Sequence, residues 1–132
     1  MICKFNINSY ISFMEVVRDY YAEGQLKEEY CVINNKKEGL YKEYHINGQL
    51  WVIYNYINGK INGEYKDYHS NGQLWVICNY IDGKLNRKYN TYHENGQLCI
   101  ICNYIDGKKM ENINHIMQMD KYIKFVILLM EN

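Results

Sequence analysis

Two cysteines, Cys99 and Cys102, have the C-x-x-C spacing that binds metal ions or supports thiol redox chemistry. They lie, however, in a segment of strand-like composition, and residues three apart on a strand point to opposite faces. Cys102 also occupies a position that is held by Cys78 and Tyr54 at intervals of 24 residues, as expected where side chains only pack. The pattern therefore predicts structural thiols and no metal site.

Three histidines, His45, His69 and His93, also recur every 24 residues, which raises the question of a zinc site. If each interval contains two strands, successive imidazoles lie about 9.5 Å apart. Zinc ligands must each lie about 2 Å from the ion, so these rings cannot share one. Tyr21 fills the same position one interval earlier. We therefore expect the rings to pack beside turns, and we predict neither a metal nor a cofactor.

The candidate hydroxyl nucleophiles are Ser9, Ser12, Ser70 and Thr91. None lies in a recognisable nucleophile motif or beside a plausible base. The glycines are accounted for by turns, so no glycine-rich phosphate loop is present. The sequence therefore predicts a protein that is not an enzyme and has no catalytic residue.

Basic residues form two columns that could contact phosphates or lipid headgroups: Lys36, Lys60, Lys84 and Lys108, and Arg18, Lys42 and Lys66. Asp19, Glu43 and Asp67 directly follow the second column and neutralise much of its field. Solvated charge that discourages edge-to-edge pairing is the favoured interpretation. Lys plus Arg and Asp plus Glu both number 15, so no net charge attracts nucleic acid, and no nucleic-acid partner is predicted.

These positions belong to an internal repeat of 24 residues. The segment Tyr44-His-Ile-Asn-Gly-Gln-Leu50 recurs at residues 68–74 and 92–98, with a weaker first copy at 20–26. A second mark follows the same period, in the order Asn34-Asn35, Asn58-Gly59, Asp82-Gly83 and Asp106-Gly107. Both central residues of a type I′ hairpin turn need φ > 0, which Asn, Asp and Gly tolerate. Two turns in each repeat imply two strands in each repeat.

The predicted fold is all-β, an elongated single antiparallel β-meander of tandem hairpin repeats. Strands are expected at 16–21, 26–33, 40–45, 50–57, 64–69, 74–81, 88–93 and 98–105. Turns are expected at Asn47-Gly48, Asn58-Gly59, Asn71-Gly72, Asp82-Gly83, Asn95-Gly96 and Asp106-Gly107.

The predicted organisation is a lead-in strand or cap at 1–14, four hairpin repeats at 15–109 and a C-terminal cap at 110–132. In the cap, the helical spacing of Ile116, Met119, Ile123 and Ile127 competes with strand-like composition from Tyr122 to Leu129. The sequence leaves open a helix and a degenerate fifth repeat.

The motif Tyr-x-x-Asn-Gly-Gln-Leu is followed by a strand, by Tyr-Ile-Asp-Gly-Lys and, in two copies, by a glycine that opens the next strand, Gly39 or Gly63. This pattern resembles the MORN repeat, specifically the variant found in bacterial antitoxin-like proteins and in arrays of large DNA viruses. It covers about residues 15–109, with Arg87 in place of the last glycine. The resemblance implies a solenoid-like sheet that contacts protein or lipid, and it implies no catalytic residue.

Strict alternation along the second strand of each repeat predicts two apolar faces. Leu50, Val52 and Tyr54 with their equivalents would form the packed face. The opposite face would recognise a partner, and its predicted binding residues are Trp51, Ile53, Trp75, Ile77 and Ile101. A single-layer sheet must bury at least one such face by curling, by a cap or by a partner.

The function predicted from these features is a non-catalytic module for protein–protein interaction or scaffolding. The alternatives are a module that binds phospholipid or a membrane surface, and an antitoxin-like neutraliser of a partner enzyme. Five cysteines without a signal peptide predict free thiols in the cytoplasm, or in the host cytoplasm if the source is viral. The longest apolar run, Phe125–Met130, is too short to span a bilayer.

Overall fold

The structure is a computed structural model that describes residues 2–7 and 10–110, with side chains from residue 13. These residues form one 12-stranded antiparallel sheet whose strand order follows the chain. The strands are β1 (Ile2–Ile7), β2 (Tyr10–Tyr20), β3 (Leu26–Ile33), β4 (Lys36–Lys37), β5 (Gly39–Tyr44), β6 (Leu50–Ile57), β7 (Lys60–Ile61), β8 (Gly63–Tyr68), β9 (Leu74–Ile81), β10 (Lys84–Tyr92), β11 (Leu98–Ile105) and β12 (Lys108–Lys109).

The predicted meander is confirmed, and all eight predicted strands are present. β2 begins six residues and β10 four residues before the predicted starts, and the other strand ends agree within one residue. β4 and β7 are short extensions that pair with β3 and β6 beside the main path. The predicted C-terminal cap at 110–132 lies outside the described residues except for Met110.

The turns at the second mark of each repeat have the predicted type I′ geometry. Asn58 and Gly59 have φ of 53° and 78°, and Asp82 and Gly83 have 52° and 79°. Only glycine, asparagine and aspartate adopt this region at low cost, which explains the composition of these dipeptides.

The Asn-Gly-Gln turns are built differently. The backbone N–H of Gly48 donates to the carbonyl of His45, and the N–H of His45 donates to the carbonyl of Gln49. Gly48 is left-handed, with φ of 83°, whereas Asn47 is not. The loop is therefore a three-residue turn followed by a glycine bulge.

A separate bulge, farther along β6, changes which side chains share a face. Glu43 pairs with Val52, but Tyr44 pairs with Leu50, so Trp51 is an extra residue on β6. Paired residues point to one face and consecutive residues to opposite faces. Leu50 and Val52 therefore face opposite sides. The same shift separates Leu74 from Val76.

Two faces follow from the observed register. The tyrosine face carries Tyr30, Tyr41, Val52, Tyr54, Tyr56, Tyr65, Asp67, Val76, Cys78, Tyr80, Tyr89, Thr91, Cys102 and Tyr104. The isoleucine face carries Leu40, Lys42, Leu50, Ile53, Asn55, Glu64, Lys66, Leu74, Ile77, Asn79, Lys88, Asn90, Leu98, Ile101 and Asn103. The prediction that the leucines share a face with the valines and tyrosines is wrong, because strict alternation ignores the bulge.

The core of the described residues lies on the tyrosine face. Its buried apolar side chains are Tyr41, Val52, Val76, Cys78 and Cys102. A row of stacked rings crosses the strands, with centroids 5.8 Å apart from Tyr30 to Tyr41, 4.7 Å from Tyr41 to Tyr54 and 5.4 Å from Tyr54 to Tyr65. Each such pair adds about 0.5–1.5 kcal/mol beyond its area burial.

A second irregularity recurs where one repeat meets the next. The pairing of β9 with β10 jumps from Asn79–Asn86 to Cys78–Tyr89, which leaves two extra residues on β10. The first of them, Arg87, has φ of 68°, and glycine occupies the equivalent positions, with φ of 78° at Gly39 and 92° at Gly63. A left-handed conformation costs a non-glycine residue about 1–2 kcal/mol. Arg87 is therefore a strained residue in an otherwise regular array.

We expect Gly63→Ala to lower the free energy of unfolding by about 1 kcal/mol, because alanine is strained at this φ. A Cβ at Gly63 would meet no atom within 4 Å, so the cost is torsional only. Arg87→Gly should instead raise stability by about 0.5 kcal/mol, since relief of strain exceeds the added chain entropy. Urea unfolding followed by tryptophan fluorescence measures both. A stabilising Gly63→Ala would contradict this account.

Candidate functional site

One edge of the sheet is held by hydrogen bonds between successive three-residue turns. His45 Nε2 donates to the carbonyl of Tyr68 at 3.0 Å, and His69 Nε2 donates to the carbonyl of Tyr92 at 3.1 Å. In the first repeat the hydroxyl of Tyr21 makes the equivalent bond to Tyr44 at 2.8 Å. The histidine column thus joins neighbouring repeats, in agreement with the predicted position beside the turns.

The Asn-Gly-Gln signature has a similar explanation. Asn47 Oδ1 accepts the backbone N–H of Gln49, and Asn47 Nδ2 donates to the carbonyl of Ser70 in the next turn. A Cβ added to Gly72 would lie 3.0 Å from Gln49 Oε1. Asn47 therefore hydrogen-bonds within its own turn and to the next turn. Gly72 leaves space for the side chain of Gln49 in the preceding repeat.

The opposite edge of the sheet is held by the type I′ turns. The N–H of Gly83 donates to the carbonyl of Ile61 at 2.9 Å, and Gly107 bonds Leu85 in the same way. Lys60 pairs with Asp82 at 2.8 Å, and an equivalent pair joins the following two turns. Two of the four lysines in the first basic column are therefore neutralised by carboxylates of the next repeat.

The tryptophans lie beside the histidines. Trp51 stacks on His45 with ring centroids 5.4 Å apart, and Trp75 lies 5.6 Å from His69. The Trp51 side chain also hydrogen-bonds Asp67, which pairs with Val52 on the tyrosine face. The two tryptophans are 39% and 45% exposed. They therefore lie on the side of the tyrosine face, and the prediction that they share a face with Ile53 and Ile77 is wrong because of the bulge.

The isoleucine face carries two equivalent open grooves. The first groove, of about 510 Å³, is lined by Leu40, Ile53, Asn55, Gly63, Glu64 and Lys66 among others. The second groove, of about 480 Å³, includes the equivalent residues one repeat later, namely Glu64, Ile77, Asn79, Arg87, Lys88 and Asn90. Each groove lies at a two-residue bulge between neighbouring repeats. Its lining combines an isoleucine with asparagine and charged side chains. The structure thus places Ile53 and Ile77 in matching sites.

Ile101 is half-buried on the same face but does not line either groove. Sequence reasoning missed Asn55, Asn79, Arg87 and Asn90 as groove residues. Asn55 and Asn79 interrupt their apolar strands at a 24-residue interval, whereas Arg87 and Asn90 are departures from the repeat, which has Gly63 and Lys66 at those positions. Both signals are visible in the sequence, but the bulge that gives them a common groove is not.

The family model for the MORN repeat variant matches residues 16–34, 37–58, 61–82 and 88–106, and these four matches together cover more than half of the chain. The chain belongs to the MORN repeat variant family. No curated protein and no solved structure matches it. MORN repeats are repeat modules that often bind membranes or proteins, and the family is generally non-catalytic.

Two of the cysteines of this MORN array are buried on the tyrosine face. Cys102 is 3% exposed, and its thiol contacts the carbonyl of Tyr89 at 3.8 Å. Burial raises the pKa of the Cys78 thiol to about 12, so it stays protonated and weakly nucleophilic at neutral pH. Cys99 is exposed and occupies the bulge position, where simple alternation does not apply.

Among the described residues, no three His, Cys, Asp or Glu side chains converge to hold a metal ion. The same part of the chain contains no helix with the length and hydropathy needed to cross a bilayer.

We expect His45→Ala to lower the free energy of unfolding by about 1–2 kcal/mol, because it removes the bond to Tyr68 and the stacking on Trp51. His93→Ala is the matched control. His93 is exposed and makes no inter-turn bond within residues 13–110, so its loss should cost less than about 0.5 kcal/mol. Urea unfolding with and without EDTA measures both changes. Equal losses, or a loss caused by EDTA, would contradict this role.

Asp67 predicts a pH-dependent stability. Burial raises the pKa of its carboxyl above the ordinary 3.8, and hydrogen bonds from Trp51 and the Tyr68 backbone only partly oppose the shift. Asp67 Oδ1 is buried and has no hydrogen-bond partner. The folded state therefore binds the proton more readily than the unfolded chain. The ionised carboxylate destabilises the fold above the folded-state pKa, and this penalty disappears as the pH falls towards 3.8.

Asp67→Asn should therefore be more stable than the natural protein at pH 7, and the difference should shrink as the pH falls towards 4. Asp19→Asn is the control, because Asp19 holds the equivalent position in the first repeat and is exposed. Thermal unfolding between pH 4 and pH 8 gives both differences. A gap that is independent of pH, or equal for the two variants, would show that the Asp67 charge is not responsible.

Proposed function

We propose that this MORN array is a non-catalytic protein-interaction module, and that its partner lies across the isoleucine face. The observation that carries the proposal is the repetition of one groove in successive repeats, with Ile53 and Asn55 in the first groove and Ile77 and Asn79 in the second. A partner that spans both grooves meets the same combination of apolar and amide groups twice. Such repetition adds contact area without requiring a deep pocket.

The exposure of apolar side chains supports this proposal. Leu40, Ile57 and Ile81 are 44–47% exposed. Leu40 and Ile57 line the first groove, and Ile81 is the equivalent of Ile57 one repeat later. Stable interfaces depend on a few apolar anchors surrounded by polar groups. Asparagine amides can both donate to and accept from the backbone of a bound polypeptide. The face therefore offers apolar anchors and amides in a regular arrangement.

The first basic column gives less support to a lipid surface as the main partner. Lys60 and Lys84 form ion pairs at 2.8 and 2.6 Å with aspartates of the next turn. Exposed pairs of this kind contribute little to stability, but they reduce the local positive potential. Attraction to anionic headgroups would then depend on the remaining exposed lysines.

Affinity capture with the full chain from its native cells tests the proposal. Ile53→Ala combined with Ile77→Ala should reduce retention of the captured protein by roughly thirtyfold, corresponding to about 2 kcal/mol of lost contact. Ile46→Ala is the matched control, since Ile46 is 55% exposed in a turn and lies in neither groove. Circular dichroism and thermal unfolding establish whether each variant is folded at the temperature of capture.

Three outcomes would contradict the proposal. Retention could be unchanged in the folded double variant. Retention could instead fall only for Trp51→Ala and Trp75→Ala, whose predicted role in partner binding stays a prediction, and this would place the contact on the tyrosine face. Co-sedimentation with phosphatidylserine vesicles that disappears above about 0.5 M salt, without a protein partner, would indicate lipid binding.

A further inference from the structure

We propose that the second groove binds an acidic segment of a partner polypeptide, with a carboxylate at Arg87 and Lys88 and an apolar side chain on Ile77. This inference rests on the proposed function and specifies the chemistry of one of its contacts. Both grooves are open, but they differ in charge. The difference comes from four changes between equivalent positions, Leu40 to Glu64, Gly63 to Arg87, Glu64 to Lys88 and Lys66 to Asn90.

The first groove contains an internally paired set of charges. Lys66 Nζ forms a salt bridge with Glu64 Oε1. Leu40 occupies the position that Glu64 holds in the second groove. The cation and the anion of the first groove, Lys66 and Glu64, are therefore already paired with each other.

The second groove contains cations without partners. Neither Arg87 nor Lys88 forms an ion pair within the described part of the chain, although both are exposed. The carboxylate that also lines this groove, Glu64, is paired with Lys66. An incoming carboxylate therefore meets two available cations and a neutralised anion. A guanidinium can bind a carboxylate through two parallel hydrogen bonds, which favours arginine for this contact.

Asn90 supplies an independent indication of a ligand. Its Oδ1 is buried and has no hydrogen-bond partner. Buried acceptors are nearly always paired, because an unmet hydrogen bond costs about 1–3 kcal/mol. Asn90 lines the second groove together with Asn79. A backbone N–H of a bound segment is the kind of donor that a small rearrangement of this amide would satisfy.

The backbone at Arg87 points to the same groove. Arg87 is left-handed where the equivalent residues of two other repeats are glycines. Strained residues of this kind concentrate at binding and catalytic sites. Arginine at position 87 lowers the stability of the fold relative to glycine, but it adds a positive charge to the second groove.

An acidic polypeptide fits the groove better than a phosphate. Ile77 contributes apolar surface, and two asparagines offer donors and acceptors that match a peptide backbone. Two cations on a chain with no net charge are few for binding a polyanion, which depends on many phosphate contacts. The combination of one apolar site, two amides and two cations corresponds to a short segment that carries aspartate or glutamate next to an apolar residue.

Two blocked hexapeptides test the proposal with the full chain. One alternates isoleucine and aspartate, and the other has asparagine in place of each aspartate. NMR titration at low salt should give roughly tenfold tighter binding of the acidic peptide, as expected for a charge-assisted contact. The shifted amide signals should include those of Ile77, Asn79 and Asn90. The combined variant Arg87→Gly, Lys88→Gln should bind both peptides equally.

The controls separate this proposal from the proposed function. Arg87→Gly restores the residue of the equivalent positions, so the variant should fold. Lys36→Gln removes an exposed lysine outside the second groove and should keep the tenfold preference. If Ile77→Ala weakens both peptides while the Arg87 and Lys88 variant keeps the preference, the charge proposal fails and the proposed function stands.

Four further results would overturn the inference. The two peptides could bind equally to the natural protein, or neither could bind. Inorganic phosphate or phosphatidylserine vesicles could displace the acidic peptide at similar concentrations of anionic groups, which would identify a general anion site. A preference for a basic peptide of the same length would also contradict it.

Discussion

The hydrogen bonds between successive turns are the interaction on which the rest of this structure depends. A single-layer sheet has little core, and only five apolar side chains of the described residues are buried. Strand pairing alone would allow neighbouring hairpins to twist and slide. Bonds from His45 to Tyr68 at one edge and from Gly83 to Ile61 at the other fix each hairpin relative to the next. The stacked tyrosines and both grooves require that alignment.

Much of the fold could be predicted from the sequence because its strongest signals are local. The Asp82-Gly83 turn has few alternatives to type I′ geometry, and the 24-residue spacing of such turns specifies a meander of hairpins. The assignment of faces could not be predicted in the same way. It depends on a bulge that follows the Asn47-Gly48 turn and moves Trp51 out of simple alternation. One extra residue moves every following side chain of the strand to the opposite face, up to the next irregularity.

The candidate site was likewise predictable from the sequence only in part. Ile53 and Ile77 were accessible to sequence reasoning as apolar residues of a repeated strand. Their grooves were not, because each is formed where two extra residues separate neighbouring strands. Arg87 was visible as a departure from the repeat, but its left-handed backbone and the unpaired oxygen of Asn90 appear only in three dimensions. The structural meaning of a departure such as Arg87 can therefore be assessed only once the shape of the regular units is known.

The line of turns along each edge also sets how far the isoleucine face extends. Each unit contributes two strands, and strands are spaced about 4.8 Å apart, so one unit advances the surface by about 1 nm. Gain or loss of a whole unit of 24 residues would preserve both edges and change only the reach. Gain or loss of a single residue within β6 would instead exchange its two faces. The length of the array can therefore change only by whole hairpin units if each face is to keep the same side chains.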